Sequence, residues 1–416
     1  MSGKRLTLES LRALVRGREV YIYGAGPRGY IWHKFLSHHG FGIRGFIDKN
    51  KSGAGIFAPA LLDDWGDRPK PFILIAAQAF YVRQIREVLD ARGYVAQCDY
   101  VNGARLYDSF PTVETAGICN LRCASCNLGS SLPGRKRGGV MEMGVFTQVF
   151  DKLIREIPLL PNLAMYCWGE PLLNPALPEM VAHVESHGVA AELSTNLNYR
   201  ATLERVIAAS PTFFKVSCPG TGEHYEKMHT GGSWKTYLAN LHFLRECIDR
   251  HNAYTKVEII YHVYRDNLGK DYDCVKELAD GLGFMFQPII ANVFPESIYN
   301  YVVHKTPIPE TMRQAGEEMV YSIREQISFS QANGRTCSFQ SAFPTIRWDG
   351  SVIPCCNMEG GEIAANFLDV PLEELKQRQL ASDRCQQCMA HGLQRLCSPN
   401  GRIEMVNGVR TMVKLR

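Results

Sequence analysis

The densest group of potential metal ligands in the sequence is the segment ETAGICNLRCASC. It carries the spacing Cys119-x3-Cys123-x2-Cys126 directly after a run that is typical of a β-strand. Thiolates are soft ligands that suit iron–sulfur clusters or zinc. A closed structural site needs four ligands, so three thiolates leave one metal position free for a substrate or a cofactor. The spacing therefore predicts a reactive metal centre, and the alternative is a zinc knuckle that borrows a fourth ligand.

A second group of cysteines lies near the C-terminus. Four thiolates from two separated segments can close a site there: Cys337, Cys355, Cys385 and Cys388. Cys356 and Cys397 are left over, and either could replace one of the four. A zinc ribbon is the alternative. Because a reducing compartment disfavours disulfides, the 14 cysteines of the chain favour metal or redox chemistry.

Strand-like and helical runs alternate around the first cysteine group and must position it. The strand-like runs cover residues 112–115, 162–167, 191–194, 213–217, 257–264 and 284–290. Six strand and helix units predict a partial (β/α)6 TIM-type barrel. In such barrels the chemistry collects at the carboxyl ends of the strands, so the residues that follow each run are candidate site residues.

A shorter α/β unit precedes the barrel. The fingerprint Gly24-x-Gly26-x2-Gly29 follows a strand and opens a helix, and Asp48 ends the next strand. Backbone amides at such a helix start can hold a phosphate while the acid contacts a ribose hydroxyl. We therefore predict a Rossmann-like parallel sheet over residues 1–105. It resembles the small nucleotide-binding domain at the front of bacterial sugar acyltransferases, and a docking domain without a ligand is the alternative.

The cysteine loop and the ends of the next strands resemble the radical S-adenosylmethionine superfamily over residues 110–290. In that family three cysteines hold a [4Fe–4S] cluster, and S-adenosylmethionine chelates the remaining iron. The resemblance implies that Gly-Glu-Pro after Trp168 holds the methionine amino group and that Ser217 approaches the ribose or carboxylate. The cofactor-binding residues that it implies are Gly169, Glu170, Pro171, Ser194, Asn196 and Ser217.

One position departs from the family pattern. Ser125 stands where many members have an aromatic residue against the adenine, so Trp168 or Tyr166 would have to supply that packing. The resemblance implies that cluster reduction cleaves the cofactor and that a 5′-deoxyadenosyl radical abstracts a hydrogen atom from a C–H bond. The protein would position that bond and exclude solvent and oxygen.

The C-terminal cysteines resemble the auxiliary-cluster domain called SPASM or, in its shortened form, twitch. A full SPASM domain binds two clusters and would have cysteines near positions 394 and 398, which are Gln394 and Ser398. The resemblance therefore implies one auxiliary [4Fe–4S] cluster, with Cys337, Cys355, Cys385 and Cys388 as ligands. We assign residues 106–300 to the barrel and 301–416 to this small iron–sulfur domain and a tail.

Two outcomes of the radical chemistry remain open. An auxiliary cluster can accept the electron left on the substrate, which leads to oxidation, whereas epimerisation needs a hydrogen atom returned by a thiol. Cys167 and Cys218 follow barrel strands and Cys356 is next to a cluster ligand, so these three are candidate donors. A buried structural thiol is the alternative for each, because free cysteine is among the most buried residue types.

Polar residues on the fifth and sixth barrel strands are candidate substrate contacts: Tyr261, His262, Tyr264, Arg265, Asn267 and Gln287. Strand alternation allows only one of two sets to face inward, either His262 with Tyr264 or Tyr261 with Val263. We expect His224 and His229 at the rim, in the loop after the fourth strand.

The composition excludes some functions. With 46 basic and 42 acidic residues, the net charge of +4 argues against a nucleic-acid binder. No apolar stretch has the length of a membrane span, and the N-terminus lacks the apolar core of a signal peptide, so we expect a cytoplasmic protein. We predict a radical S-adenosylmethionine oxidoreductase or epimerase that acts on a sugar or nucleotide-sugar and takes electrons from flavodoxin or ferredoxin. A peptide maturase and a non-catalytic iron–sulfur or zinc protein are the alternatives.

Overall fold

The computed structural model describes residues 7–63, 65, 68–77, 79–103, 111–129, 138–293, 295–333, 337, 343–396, 401–406 and 409–414. The chain divides into two compact units. The first comprises Met1–Phe110, Phe150–Leu163 and His183–Ala190, and the second comprises Pro111–Val149, Ala164–Ala182 and Ala191–Arg416. The domain ranges 1–105, 106–300 and 301–416 stay predictions.

Five parallel strands near the start of the chain form one sheet in the order β3-β2-β1-β4-β5. They are β1 (Val20–Tyr23), β2 (Ile43–Ile47), β3 (Ile56–Phe57), β4 (Phe72–Ile75) and β5 (Tyr100–Asn102). Every residue of β1 and β4 is buried, which is the pattern of a parallel sheet covered on both faces. The predicted small parallel sheet is confirmed, with the very short β3 and the short β5 added to it.

Helices cover both faces of this sheet. They are α1 (Leu8–Val15), α2 (Pro27–His38) and α3 (Ala79–Asp90). Leu11 and Trp32 pack with Ile22 on one face, and Leu89 packs with Tyr21 on the other. Alternation along β1 therefore supplies two separate apolar cores.

The six predicted barrel strands are all present. They are β6 (Thr112–Val113), β7 (Asn162–Ala164), β8 (Ala190–Thr195), β9 (Phe213–Cys218), β10 (Lys256–Val263) and β11 (Met285–Ile290). They succeed one another in chain order across the sheet, and the registers that pair them are parallel. The predicted α/β class with a partial barrel is therefore confirmed.

Helices follow the barrel strands: α4 (Met143–Glu156), α5 (Leu177–Ser186), α6 (Leu203–Ala208), α7 (Gly222–Met228), α8 (Trp234–Arg250) and α9 (Lys270–Gly281). Helix α8 shows why they form. It buries Tyr237, Leu241, Leu244 and Ile248, one stripe at helical spacing. The Ser233 hydroxyl caps its start by accepting a hydrogen bond from Thr236 N over 3.4 Å.

The C-terminal part contributes to the barrel sheet. Strand β12 (Thr345–Ile346) pairs in parallel with β6, and β13 (Val352–Ile353) pairs antiparallel with β12. These two strands have only two residues each and were not predicted from the sequence. The remaining elements are α10 (Pro295–His304), α11 (Glu310–Glu317), α12 (Ile323–Asn333), α13 (Leu372–Ala381), α14 (Asp383–Ala390), β14 (Gly401–Val406) and β15 (Val409–Lys414). No described helix is long and apolar enough to cross a membrane.

Candidate functional site

The loop after β6 brings three cysteines so close together that their charges would interact: Cys119, Cys123 and Cys126. Cys126 N donates to the Cys123 carbonyl oxygen over 3.0 Å and closes a tight turn. The pKa of the Cys119 thiol is raised to about 11, mainly by burial and also by the charges of Glu170 and Cys126. Burial and the other two thiols also raise the pKa of Cys123. Such thiols become thiolates beside a strong positive charge, which is what bound iron supplies.

Two hydrogen bonds reach the sulfur of Cys119. The backbone N–H of Leu121 donates over 3.4 Å, and Nδ2 of Asn196 donates over 3.6 Å. Asn196 Nδ2 also donates to Asn120 Oδ1 over 3.0 Å, so the end of β8 is tied to the cysteine loop. Hydrogen bonds to sulfur are among the features that set the reduction potential of iron–sulfur clusters.

Glu170 places a buried carboxyl group next to this loop. Its Oε2 accepts from Asn196 N over 2.8 Å and its Oε1 from Leu172 N over 3.1 Å. Burial raises the pKa of Glu170 to about 7, although both hydrogen bonds oppose the rise. Pro171 opens the short 3-10 turn that this side chain caps. The carboxyl group therefore has a fixed position and oxygens that can accept further hydrogen bonds.

Gly169 explains how the segment approaches the loop. A Cβ atom at this position would lie 1.9 Å from the Ala116 carbonyl oxygen. The next residue, Glu170, donates its backbone N–H to the Ile118 carbonyl oxygen over 2.8 Å. Any larger residue would push Glu170 away from Cys119, so the glycine is required by close packing.

Strand alternation places the two predicted serines on the interior face of the barrel. Ser194 lies opposite Lys215 in the β8–β9 register, and Ser217 lies opposite Ile260 in the β9–β10 register. Both serines are half-buried. They stand near the carboxyl ends of their strands, which is the end at which α/β barrels place their sites.

A charged cluster inside the barrel was missed from the sequence. Lys215 forms an ion pair with Glu192 and donates a hydrogen bond to the Tyr166 hydroxyl over 3.2 Å. The Tyr166 hydroxyl in turn donates to Glu192 Oε1 over 3.1 Å. Glu192 is buried. The signal was one charged residue in each of the apolar runs AAELST and FFKVSC, because a charge inside a buried strand needs a partner.

The structure selects the inward-facing set on β10. Tyr261 packs against Tyr272 of α9 with ring centroids 5.5 Å apart, so His262 faces the barrel interior. Burial lowers the pKa of His262 to about 4. His229 lies beside it, with ring centroids 6.5 Å apart, and burial lowers the pKa of His229 to about 3. The rim position expected for His229 is therefore wrong, since the residue is buried.

The other polar candidates after β10 have structural partners. Asn267 Oδ1 accepts from Tyr264 N over 2.8 Å, and its Nδ2 donates to the Pro219 carbonyl oxygen over 2.8 Å. Arg265 N donates to the Glu318 carbonyl oxygen over 2.9 Å. These contacts hold the loop after β10 in place.

The second cysteine group meets in one cavity. Its lining includes all four predicted ligands: Cys337, Cys355, Cys385 and Cys388. The pKa of Cys388 is raised to about 12, mainly by burial and also by the Cys337 and Cys385 thiols. Burial also raises the pKa of Cys355, and the nearby thiols of Cys385 and Cys388 contribute to this rise. Two segments far apart in sequence thus supply four neighbouring thiols.

The three candidate hydrogen donors have different surroundings. Cys167 Sγ lies 3.9 Å from the Cys356 carbonyl oxygen, so these two residues meet beside Cys355. Cys218 is fully buried and lies 3.3 Å from the Gly220 carbonyl oxygen. Burial raises the pKa of Cys218 to about 12. Cys397 lies outside the described residues.

Both cysteine groups offer the type and number of ligands that iron–sulfur clusters use. Among the residues that the structure describes, no group of three or more His, Cys, Asp or Glu side chains is arranged to hold one ion. In a [4Fe–4S] cluster each thiolate binds its own iron, so the ligands of a cluster stand farther apart than those of one zinc ion. Three thiols in one loop and four around one cavity match the ligand type and number that two clusters need.

The glycine turn of the first unit depends on close packing. Gly24 has a φ of +119°, and a Cβ there would lie 2.9 Å from the Ala76 carbonyl oxygen. A Cβ at Gly29 would lie 1.9 Å from the Gly24 carbonyl oxygen, whereas the space around Gly26 is open. Two of the three glycines are therefore required by the fold.

Asp48 holds the same turn. Its Oδ2 accepts from Ala25 N over 2.9 Å, and its Oδ1 accepts from Asn50 N over 2.9 Å and from Lys51 N over 3.1 Å. Both oxygens thus bind backbone amides within the unit. Contact between Asp48 and a ribose, and nucleotide binding by the three glycines, stay predictions.

Comparison with curated proteins found one similar sequence, and no family model matches the chain. The relative is the tungsten-containing aldehyde ferredoxin oxidoreductase cofactor-modifying protein of Pyrococcus furiosus. It is 24% identical over an alignment of 255 residues, and the match covers 58% of this chain and 69% of the relative.

Several solved structures resemble parts of the chain. BtrN in complex with AdoMet and 2-DOIA is 14% identical, and the match covers 70% of this chain and 87% of BtrN with a TM-score of 0.38. Native anSMEcpe with bound AdoMet is 14% identical over 67% of this chain and 81% of that protein, with a TM-score of 0.42. Streptococcus suis SuiB bound to precursor peptide SuiA is 12% identical, and the match covers 68% of this chain and 71% of SuiB with a TM-score of 0.45. Scores of this size do not establish a common fold, so the architecture rests on this chain's own strand order.

Proposed function

We propose that this chain is a radical S-adenosylmethionine enzyme. The observation that carries the proposal is the buried carboxyl group of Glu170, held beside Cys119 by the backbone of Asn196 and Leu172. A structural thiol site has no need of a buried carboxyl group, which costs free energy to desolvate. An amino group of a bound cofactor would compensate that cost with a charge-assisted hydrogen bond.

The residues present fit the implied cofactors. Cys119, Cys123 and Cys126 would hold a [4Fe–4S] cluster and leave one iron for the amino acid part of S-adenosylmethionine. Bound there, S-adenosylmethionine supplies a 5′-deoxyadenosyl radical that abstracts a hydrogen atom from a substrate C–H bond. Glu170 would accept from the methionine amino group, and Gly169 lets it approach.

Other residues on the same face complete the cofactor assignment. Ser194, Asn196 and Ser217 stand at the ends of β8 and β9 and would contact the polar part of the cofactor. Tyr166 is engaged with Lys215 and Glu192, so Trp168 is the aromatic residue left to replace Ser125 against the adenine.

The second cysteine group would hold one auxiliary [4Fe–4S] cluster, with Cys337, Cys355, Cys385 and Cys388 as its ligands. Of the three candidate donors we favour Cys167 and Cys356, because they meet beside Cys355. Cys218 contacts Tyr237 of α8, which lies on the helix side of β9. The auxiliary cluster supports oxidation as an outcome, and the Cys167 thiol supports epimerisation.

A sugar or another polyhydroxylated molecule is the substrate class that we propose. The barrel interior offers both hydrogen-bond donors and hydrogen-bond acceptors, which are the Lys215–Glu192 pair and the neutral imidazole of His262. Neutral imidazole both donates and accepts, which suits a hydroxyl group. A flavodoxin or a ferredoxin would deliver the electrons.

An anaerobic assay in deuterated water tests the proposal. Reduced, cluster-reconstituted protein is incubated with S-adenosylmethionine and pooled nucleotide-sugars and oligosaccharides, and 5′-deoxyadenosine and product mass are followed together. Substrate-dependent 5′-deoxyadenosine with one carbon-bound deuterium gained would show epimerisation, and loss of two hydrogens would show oxidation. A response to peptides alone would replace sugars as the substrate class. No cleavage of S-adenosylmethionine with intact clusters would reject the enzyme assignment.

A further inference from the structure

The cavity that joins the four C-terminal cysteines also contains polar groups without partners. Most of its other lining is apolar: Pro295, Pro354, Met358, Met389, Leu393 and Leu396. Gln394 lines the same cavity and is 7% exposed. Among the described residues, neither its Nε2 nor its Oε1 has a hydrogen-bond partner. A buried amide without partners costs about 1–3 kcal/mol, so it points to a group that the cavity accommodates.

Arg384 lines the cavity from α14. Its Nη2 pairs with Glu296, and its guanidinium lies 4.6 Å from the ring centroid of Tyr299. Its Nε is buried and has no hydrogen-bond partner in the described part of the chain. The guanidinium lines the same cavity as Cys385 and Cys388. The cavity therefore combines four thiols with a guanidinium whose charge Glu296 balances and whose Nε–H has no acceptor among the described residues.

The chemistry of these atoms indicates what they bind. Thiolate and inorganic sulfide accept hydrogen bonds and have no protons to donate. The Gln394 NH2 group and the Arg384 Nε–H are donors. Of the other side chains that line the cavity, only Asn357 and Gln379 carry an oxygen acceptor, whereas four carry sulfur of the predicted cluster ligands. Hydrogen bonds and positive charge at a cluster's sulfurs stabilise its reduced, more negative state.

We propose that Gln394 donates a hydrogen bond to a sulfur of the auxiliary cluster and, together with Arg384, raises its reduction potential. The inference rests on the proposed function, because it requires that the four cysteines hold a cluster. Gln394 acts as a positioning and tuning residue. Its consequence is an auxiliary cluster poised to take up an electron, which favours oxidation over a redox-neutral reaction.

A redox titration of the auxiliary cluster alone tests the inference. The background is the full chain with Cys119→Ala, Cys123→Ala and Cys126→Ala, reconstituted anaerobically, so that only the auxiliary cluster contributes to the electron paramagnetic resonance signal. Gln394→Leu removes the donor and keeps an apolar lining, and Gln394→Glu keeps the shape and removes the N–H groups. Gln386→Leu is the matched control, because Gln386 is exposed on the same helix as Arg384 and donates to the Leu380 carbonyl oxygen.

We expect a more negative midpoint potential for Gln394→Leu and no shift for Gln386→Leu. At a pH at which the introduced carboxyl group is ionised, we expect a larger negative shift for Gln394→Glu. A deuteron coupling to the cluster in deuterated water should weaken in both Gln394 variants. Unchanged potentials and couplings at full iron content would overturn the role of Gln394 and leave the cluster assignment standing. Absence of iron from the background protein, measured before titration, would overturn both.

Discussion

At the scale of single residues, the site is a set of buried groups whose charges need a partner. Cys119, Cys123 and Glu170 lie together, and burial raises the pKa of all three. Without a bound group, burial favours the neutral form of each of the three. Iron and a cofactor amino group would bring the charges that stabilise the thiolates and the carboxylate.

Replacing Glu170 should weaken S-adenosylmethionine binding and leave the clusters intact. Glu170→Gln keeps an oxygen for the Leu172 or Asn196 amide and removes the negative charge. Loss of a hydrogen bond to a charged group costs about 1.5–3 kcal/mol, so we expect roughly a tenfold to hundredfold loss of affinity. Anaerobic equilibrium dialysis with iron analysis measures it. The control is Glu179→Gln, because Glu179 forms an exposed ion pair with Arg205. Equal affinity of both variants for S-adenosylmethionine would contradict the role of Glu170.

Glu114 gives a pH-dependent prediction. Burial raises its pKa from 4.5 to about 7, so between these values the folded chain binds a proton that the unfolded chain has lost. Stability therefore falls as the pH rises through this window, by roughly 3 kcal/mol in all. Glu114→Gln removes the effect and keeps an acceptor for Trp168 N, which lies 3.2 Å from Oε1.

The thermal midpoint of metal-free protein checks this expectation. The variant should gain stability relative to the unmodified chain between about pH 5 and about pH 8. A difference that stays constant with pH would show that Glu114 ionises alike in both states.

At the scale of elements, the barrel strands hold the charged cluster of Lys215, Glu192 and Tyr166 in position, and this cluster was not predicted from the sequence. Lys215 on β9 and Glu192 on β8 face the same interior, and removal of one partner leaves a buried charge. We expect Lys215→Met to cost about 3 kcal/mol of unfolding free energy and the double variant with Glu192→Met to cost less. The exposed pair of Arg245 and Asp249 is the control, with about 1 kcal/mol or less for Arg245→Met.

Chemical denaturation of all four proteins measures this double-mutant cycle. A double variant whose loss of stability equals the sum of the two single losses would show that the two residues act independently. Lys215 and Glu192 would then have no energetic coupling, although they face the same barrel interior.

The glycine turn of the first unit gives a second prediction at this scale. Gly29→Ala should destabilise the unit by at least about 1 kcal/mol, because its Cβ would overlap the Gly24 carbonyl oxygen. Gly26→Ala is the matched control, since the space around Gly26 is open. The thermal midpoints of the two variants check it, and equal midpoints would contradict the close packing.

Elements that belong to the regular alternation of strand-like and helical runs could be predicted from the sequence, and two-residue strands outside that alternation could not. Strands β6 to β11 were recognised because apolar runs alternate with helical ones along the chain. Strands β3, β12 and β13 have two residues each, so they show no periodicity. The inward face of β10 also stayed open until the contact between Tyr261 and Tyr272 showed which side meets α9.

At the scale of the whole molecule, spacing within one loop was easier to interpret than proximity between distant segments. The Cys119 loop could be recognised from local spacing alone. The meeting of Cys167 with Cys356 joins residues 189 positions apart, which no local pattern reveals. The same holds for the contribution of Gln394 to the second cavity, which became visible only from the packing around it.

The central claim is that two separate cysteine groups hold two clusters, of which the first binds S-adenosylmethionine. Iron analysis of anaerobically reconstituted protein tests it most directly. We predict about eight irons for the unmodified chain and about four for Cys119→Ala with Cys123→Ala and Cys126→Ala. Cys385→Ala with Cys388→Ala should also lose about four irons. An iron content that the triple alanine variant leaves unchanged would contradict the ligand assignment and, with it, the proposed radical enzyme.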